Sequence, residues 1–366
     1  MSANGSGEPE TKKAKCNVPE GVLLGIGNPL LDISATVDEA FLKKYELDAN
    51  NQILAEDKHK PMFQELVDNY KVDYIPGGAT QNTIRVASWI NNVPKMASFF
   101  GCIAKDNFGD ILKTKMEEFG VHVDYRYDEK EPTGTCAVAV TGKDRAKGVV
   151  RGARSLVANL AAANCYKKDH LVQPKNWAMV EKAAIFYCAG FHLTVAPDAM
   201  LALAEHAKEN NKIFSMNLSA PFLSQFFKDP QMKVLPYCDY VFGNETEAAV
   251  FAKEQNFGTE DLKEIALKIA ALPKENDKRP CVAIITQGEK ATLVAQGGKV
   301  HEFPVIPIKD DDVVDTNGAG DAFVGGFLAQ LAQDKSLEEC IRCAHFAANY
   351  IIQRNGITME GTCSYE

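Results

Sequence analysis

The stretch VVDTNGAGDAFVGG at 313–326 limits the folds open to this chain more than any other. Residues 313–315 form a short apolar and acidic lead-in. Thr316, Asn317, Gly318, Ala319, Gly320 and Asp321 make a polar turn, and Ala322, Phe323, Gly326 and Phe327 begin an amphipathic run. The pattern predicts a loop that turns into a helix. Glycine lets the backbone turn without a side-chain clash, so several N–H groups can point into one space. A helix N-terminus beside them adds partial positive charge. Together they make an anion site. Asp321 is the discordant member, because a carboxylate repels a phosphate. It fits if it accepts a proton from an attacking hydroxyl while the N–H groups hold the phosphoryl group. The plainer reading is a capped helix with an acidic residue in its first turn.

The rest of the chain has the rhythm of an α/β protein. Apolar runs predict strands at 22–27, 96–103, 136–140, 184–189, 212–217, 239–242 and 281–285. Amphipathic runs predict helices at 59–70, 108–119, 197–209, 261–271 and 337–354, a glycine turn at 76–82 opens a helix that runs to about 92, and a helical pattern lies at 156–166. A hairpin is expected at 291–295 and 299–304. Strands alternating with helices imply a mostly parallel sheet covered on both faces. Polar or glycine turns follow strands at Asp32, at Gly77 and Gly78, at 244–247 and at 286–288, and the 313 stretch is one more. Asp32 is placed just past a strand end, and a parallel sheet gathers such turns along its carboxyl edge. A chain of 366 residues has room for two domains, or for one large α/β domain with an appendage.

Several classes are argued against. A net charge of −9 disfavours nucleic acid as the main partner. No apolar run approaches membrane-spanning length, and the N-terminus lacks an apolar secretory core. The ten cysteines are scattered, as reduced cytosolic thiols are. Cys340 and Cys343 with His345 lack the second ligand pair of a zinc site. Gly25 and Gly27 fall short of a dinucleotide fingerprint, since the third glycine is missing and Pro29 interrupts. Neither a Walker A loop nor the protein-kinase signatures occur. Residues 1–20 read as a disordered tail, and the basic cluster at 11–15 is either a nuclear address or part of that solvated tail. The glycine-rich basic stretch 142–154 is either a lid that reaches phosphates or a solvated turn.

The sequence DTNGAGD at 315–321, with Gly77-Gly78 upstream and Asn244-x-x-Glu247, resembles the ribokinase-like (PfkB) carbohydrate kinase family. Within it the likeness is closer to the branch whose substrate is adenosine. It rests on GIGNPLLD at 25–32, QILAED at 52–57, PTGTC at 132–136, NLSAPF at 217–222 and FGNETE at 242–247. The resemblance covers residues 22 to about 358.

It implies a ribokinase-like α/β fold over 21–366: a large, doubly covered, mostly parallel sheet domain with a small lid drawn from 30–78 and 128–163. It implies a monomeric, cytoplasmic, magnesium-dependent enzyme that moves the ATP γ-phosphoryl group to the 5′-hydroxyl of adenosine, giving AMP and ADP. By position, Asp32 would hold the ribose hydroxyls with Gly78 and Asn82 assisting, and Asn317 would lie beside the substrate. Leu30, Leu54, Cys136, Leu156, Phe191 and Phe222 would line the nucleoside pocket, Phe191 against the base. Asn244 and Glu247 would organise magnesium through its water shell. Thr286 and Gly288 would border the ATP site with His345 nearby. Gly318, Ala319 and Gly320 would form the anion hole and Asp321 would be the catalytic base.

The chain departs from the family pattern twice. Ala79 stands where a serine is expected, and the segment 143–154 is longer than usual. Arg145 and Arg154 both compete for one phosphate-facing role, and Arg154 is preferred for its place beside Ser155 and Leu156. A kinase for a free sugar and a non-enzymatic nucleoside-binding regulator are the alternatives. Read from residues alone, the apolar pocket members are equally consistent with ordinary core.

Overall fold

A computed structural model of the chain describes residues 18–48, 52–141 and 153–365. Its backbone divides into two sheets. The larger has nine strands, in the order β14 (Lys299–Phe303), β13 (Lys290–Gln296), β12 (Val282–Gln287), β11 (Tyr240–Asn244), β10 (Ile213–Asn217), β9 (Ile185–Ala189), β1 (Leu23–Ile26), β5 (Ala97–Ala104) and β6 (His122–Asp128). From β12 to β6 every pairing is parallel, and β13 and β14 add an antiparallel edge.

Alternation along the strands sends apolar side chains to both faces. Leu24, Phe100, Phe186 and Ile285 meet one core, whereas Leu23, Phe99, Tyr187 and Ile284 meet the other. The first core is covered by α5 (Lys168–Leu171), α6 (Pro174–Lys182), α7 (Pro197–Glu209), α9 (Lys228–Val234), α10 (Glu245–Glu254) and α11 (Leu262–Ala270). The second is covered by α3 (Ala79–Asn91), α4 (Asn107–Glu118), α12 (Ala319–Leu331) and α13 (Leu337–Ile352). The expected α/β architecture with a doubly covered, mostly parallel sheet is what the chain adopts.

The smaller sheet has the order β3 (Gln52–Leu54), β8 (Ala153–Asn159), β7 (Thr135–Thr141), β2 (Leu30–Thr36) and β4 (Val72–Gly77). Among the described residues, helices pack on one of its faces. Ile33, Ala35, Ala137, Ala139 and Val157 pack under α1 (Glu39–Lys44) and α2 (Lys60–Asn69) with Phe41, Met62 and Leu66. The other face has a row set by register. Leu54 pairs with Ala158, Ala158 with Cys136, and Cys136 with Asp32. Paired residues share a face, and residues two apart rejoin it. Leu30 and Leu156 therefore join the row and form a small apolar cluster with Cys136, Val138, Val140 and Ala158.

Three sequence expectations change here. Residues 156–166 are not helical. Residues 153–159 are strand β8, followed by a 3-10 turn at Ala161–Cys165. The alanine-rich run has helix propensity, but pairing with β7 and β3 satisfies its backbone in the extended state, and tertiary pairing overrides propensity. Asp32 follows β1, yet it lies inside β2 rather than in a turn. Strand β6 and helices α1, α5, α6, α8 (Pro221–Phe226) and α9 are additions to the sequence reading. Arg145 and the basic cluster at 11–15 lie outside the described residues, and so does the side chain of Arg154.

Candidate active site

The strand order reverses about β1: the chain runs outward through β5 and β6, then returns through β9 to β12 on the other side. Such a switch point leaves a crevice beyond the carboxyl ends of the central strands. Contacts across the turns there hold it in shape. The Ala189 N–H donates to Thr80 Oγ1 at 2.9 Å. Asn28 Nδ2 donates to the Phe191 carbonyl at 3.4 Å, and His192 Nδ1 lies 2.6 Å from Asn28 Oδ1. Phe191 and Phe222, the latter on α8 (Pro221–Phe226), have ring centroids 6.2 Å apart. Ser219 sits at φ +68 and receives the Gly190 N–H at 2.8 Å, joining the ends of β9 and β10.

Two glycine turns are demanded by what surrounds them. A Cβ on Gly77 would fall on the Asp32 carboxylate, and Gly78 caps α3 at φ +89 against the Asn28 carbonyl. The second turn is the 313 stretch. Gly318 caps α12 at φ +78, and a Cβ there would lie 2.5 Å from Ile357. The carboxylate of Asp315, 6% exposed, orders this turn. Its Oδ1 accepts the Asn317 N–H at 3.0 Å and Asn317 Nδ2 at 2.9 Å, and its Oδ2 accepts the Gly356 N–H at 3.0 Å. The first amides of a helix lack intrahelical partners. Ala319 N–H reaches the Thr316 carbonyl at 3.2 Å. Among the described residues no acceptor is paired with the amides of Gly320 and Asp321. A Cβ on Gly320 would meet nothing within 4 Å, so this turn faces open space. The combination suits a tetrahedral anion.

Asp321 lies in the first turn of α12 and is half-buried. Its Oδ2 accepts from Asn82 Nδ2 at 3.0 Å, and its carbonyl accepts from Thr83 Oγ1 at 3.1 Å. Burial pushes the Asp321 carboxyl up to about 7, the Asn82 hydrogen bond opposes the rise, and the charge of Glu247 adds to it. A carboxyl poised near neutrality in a cleft is a candidate general base. Asn82 is 8% exposed, and its Oδ1 has no donor among the described residues. A buried acceptor without a donor is costly, so this atom is suited to a hydroxyl of a bound molecule.

Beside Gly320 a cleft of about 60 Å³ opens between Asn217, Phe242, Gly243, Asn244, Glu247, Thr286 and Phe323. It gathers Asn244 and Glu247, Thr286, and Gly320 from three distant parts of the chain. Asn244 and Glu247 form a capping box at the start of α10. Glu247 Oε2 accepts the Asn244 N–H at 3.0 Å, its Oε1 accepts Asn244 Nδ2 at 2.9 Å, and Asn244 Oδ1 accepts the Glu247 N–H at 2.8 Å. Burial raises the Glu247 carboxyl above its ordinary value, and the Asn244 amide opposes this.

Two sequence candidates do not line this cleft. Gly288 occupies the first loop position of the β12–β13 hairpin at φ +58, the place of glycine in a type II′ turn. His345 is 7% exposed, its Nε2 is 2.9 Å from Thr292 Oγ1, and its ring packs on Phe323 at 5.5 Å. It therefore stands one residue behind the cleft wall, and burial lowers its pKa. Leu54 and Phe222 remain exposed, at 61% and 36%. Ala79 opens α3 without a hydroxyl. Asn217 and Asp315 carried no role in the sequence reading. Asn217 ends β10 and opens NLSAPF, and Asp315 opens DTNGAGD, and their places in those motifs were the available signal.

A helix start with unpaired amides and a carboxyl raised towards neutrality, on the carboxyl edge of a doubly covered parallel sheet, suits a phosphotransferase of the α/β type. Comparison with known proteins agrees. Residues 42–360 match the pfkB family carbohydrate kinase. The chain is 54% identical to adenosine kinase 2 of Arabidopsis thaliana over 93% of its length and 96% of that protein's. It is 44% identical to the adenosine kinase of Dictyostelium discoideum over 92% and 96%. The fold superposes with a TM-score of 0.86 on adenosine kinase of Anopheles gambiae in complex with P1,P4-di(adenosine-5) tetraphosphate, at 49% identity, covering 95% of this chain and 100% of that one. Adenosine kinase of Schistosoma mansoni in complex with adenosine matches at 0.85 and 37% identity, covering 94% and 98%. The chain belongs to the pfkB family of carbohydrate kinases.

Proposed function

We propose that the chain is an ATP-dependent adenosine kinase, transferring the γ-phosphoryl group to the nucleoside 5′-hydroxyl and releasing AMP and ADP. The observation that carries this reading is Asn82. Its Nδ2 fixes the Asp321 carboxylate while its buried Oδ1 waits for a donor. An alcohol seated there meets an acceptor and a proton-accepting carboxylate together. Asp32, on the face of the small sheet away from α1 and α2, would take the ribose hydroxyls with the Gly78 backbone. Leu30, Leu54, Cys136 and Leu156 on the same face, with Phe191 and Phe222 across the crevice turns, would enclose the base. The small sheet would act as a lid over the large one. A sugar pocket would need more polar partners than this surface offers.

Asp321 would draw the proton from the 5′-hydroxyl as the new oxygen–phosphorus bond forms. The Gly320 and Asp321 amides, with Gly318 and Ala319 shaping the turn, would receive charge developing on the transferred group. The triphosphate would run into the cleft at Asn244 and Thr286, with the Gly288 hairpin at its border. Magnesium fits as an ion carried by the phosphates. Among the described residues no three-member cluster of His, Cys, Asp or Glu is placed to cage a metal, and Mg²⁺ commonly keeps its waters and meets one or two carboxylates. Both Glu247 oxygens already accept hydrogen bonds from Asn244, which suits contact through water. When bound, the ion would neutralise phosphate charge.

The nine described cysteines are free thiols, and no described helix is long and apolar enough to cross a membrane. Free thiols suit a reducing cytoplasm.

The substrate is tested by comparing adenosine with ribose. Adenosine should be used with kcat/KM higher by at least about 5- to 150-fold, since stacking of a base on an aromatic ring alone is worth about 1–3 kcal/mol. Comparable efficiencies would move the protein to the sugar kinases, and absence of ATP turnover would make it a binding protein. The base has its own pH signature. Asp321 accepts a proton only when ionised, and its carboxyl titrates at about 7. Thus kcat/KM should fall about tenfold per unit as pH drops below that value and level off above it. A profile flat between pH 6 and 8 would exclude this carboxylate as the base.

A further inference from the structure

Arg85 lies on α3 three residues beyond Asn82 and is 2% exposed. Among the described residues its guanidinium makes no ion pair. Its Nη1 donates to the Pro76 carbonyl, its Nη2 donates to the Ile357 carbonyl at 2.7 Å, and it stands 5.0 Å from the centre of the Phe119 ring. Burying a cation for two carbonyls is expensive, so the positions of those carbonyls matter. Pro76 immediately precedes Gly77, the residue whose bare Cα makes room for the Asp32 carboxylate. Ile357 fills the space beside Gly318, 2.5 Å from where a Cβ would stand. Its neighbour Gly356 donates to Asp315, which orders Asn317. One planar side chain thus spans the turn beside Asp32 and the segment that backs the anion turn.

We propose that Arg85 is a positioning residue for phosphoryl transfer, its rigid fork fixing the separation between the acceptor-binding turn at Gly77 and the anion turn at Gly318. The proposal rests on the kinase reading above. Arginine suits the task because its donors are held in a plane, whereas lysine offers one mobile ammonium. A misplacement of about 1 Å between reacting groups can cost about 10²-fold in rate. The loss should therefore appear in turnover more than in the binding of either substrate.

The test uses the full-length protein with Arg85→Lys, Arg85→Met and Ile357→Val. Arg85→Lys is expected to melt cooperatively and bind adenosine within about threefold of wild type, with kcat reduced about 10- to 10²-fold. Arg85→Met should be slower still. Ile357→Val, a milder change that preserves the core, should show a smaller loss of the same kind. In the double variant Arg85→Lys/Ile357→Val the two losses should combine to less than their product, as for residues on one path. Hydrogen exchange of the peptide covering 315–321 should quicken in Arg85→Lys, a readout that needs no substrate. Turnover of Arg85→Lys within threefold of wild type, or unchanged exchange at 315–321, overturns the proposal. So does a rate loss matched by an equal loss of folded protein. A wild-type protein inert toward adenosine would instead refute the kinase reading, and the exchange measurement would still decide the role of Arg85.

Discussion

Replacing Asp321 by asparagine should lower turnover by about 10²–10⁴-fold, the usual contribution of a general base, while adenosine affinity stays near wild type. The local geometry makes this a clean substitution. Asn82 Nδ2 donates to Asp321 Oδ2 at 3.0 Å, and an asparagine carbonyl at 321 can accept the same bond. The Thr83 hydroxyl bonds the backbone carbonyl of residue 321, which the substitution leaves in place. Gly318 keeps its left-handed cap and Asp315 keeps its hold on the turn. What disappears is the basic oxygen. A hydroxyl is a weak nucleophile while it keeps its proton, so the defect belongs to the transition state, and it should lower kcat without raising the adenosine dissociation constant. The inflection near pH 7 should vanish from the residual rate, because burial of this carboxyl is its cause. Calorimetry with adenosine and AMP formation, on one preparation, separate the outcomes. A variant with more than about a tenth of wild-type turnover falls outside the range for losing a base and would return Asp321 to the role of a helix-capping acid.

The fold was legible because its signals are local. The apolar runs that became β1, β5, β9, β10 and β12 have neighbours on both faces, and each was bounded by glycine or polar turns. The turn into α12 was legible for a related reason: Gly318 needs a left-handed φ, and the residues after it carry a helical apolar period. Residues 153–166 misled for want of a local signal. Val157 and the alternating Leu156 and Ala158 belong to opposite faces of a strand, but alanines around them carry helix propensity, and only the partners β7 and β3 decide. Asp32 was singled out correctly as a polar residue beyond β1, but its place within β2 depends on pairing with β7 and β4. The resemblance put His345 near the ATP site, and it does stand behind the cleft wall, but it faces Thr292, which nothing in the helix around it announces. Arg85 was invisible because an arginine on an amphipathic helix ordinarily faces water. Its burial is made by Phe119 and by two carbonyls from opposite ends of the chain. Asp315 was read as part of a lead-in, since the Gly356 amide that it accepts lies forty-one positions away.

The largest effect expected on binding comes from a single methyl group, in Gly77→Ala. Gly77 pairs with Leu30 in the ladder of β2 and β4, so its backbone is held in place by the sheet. A Cβ there would fall on the carboxylate of Asp32. The backbone cannot retreat easily, because the preceding carbonyl at Pro76 is bonded to buried Arg85 and the following residue, Gly78, is pinned against Asn28. The movable party is the Asp32 side chain, which must rotate away from the position that suits two ribose hydroxyls. Each charge-assisted hydrogen bond is worth about 1.5–3 kcal/mol, so losing both should weaken adenosine binding by about 10²–10⁴-fold, at 1.4 kcal/mol per factor of ten. The anion turn lies on another element and keeps its own supports. Turnover at saturating adenosine should then suffer less than affinity, the reverse of the pattern expected for Asp321→Asn. Asp32→Ala, which removes the carboxylate without adding bulk, should reproduce the affinity loss. Gly77→Ala on the Asp32→Ala background should add little, because the group it displaces is already gone. If Gly77→Ala binds adenosine within threefold of wild type in a folded protein, or if its loss multiplies with that of Asp32→Ala, then Asp32 is not the group that holds the ribose.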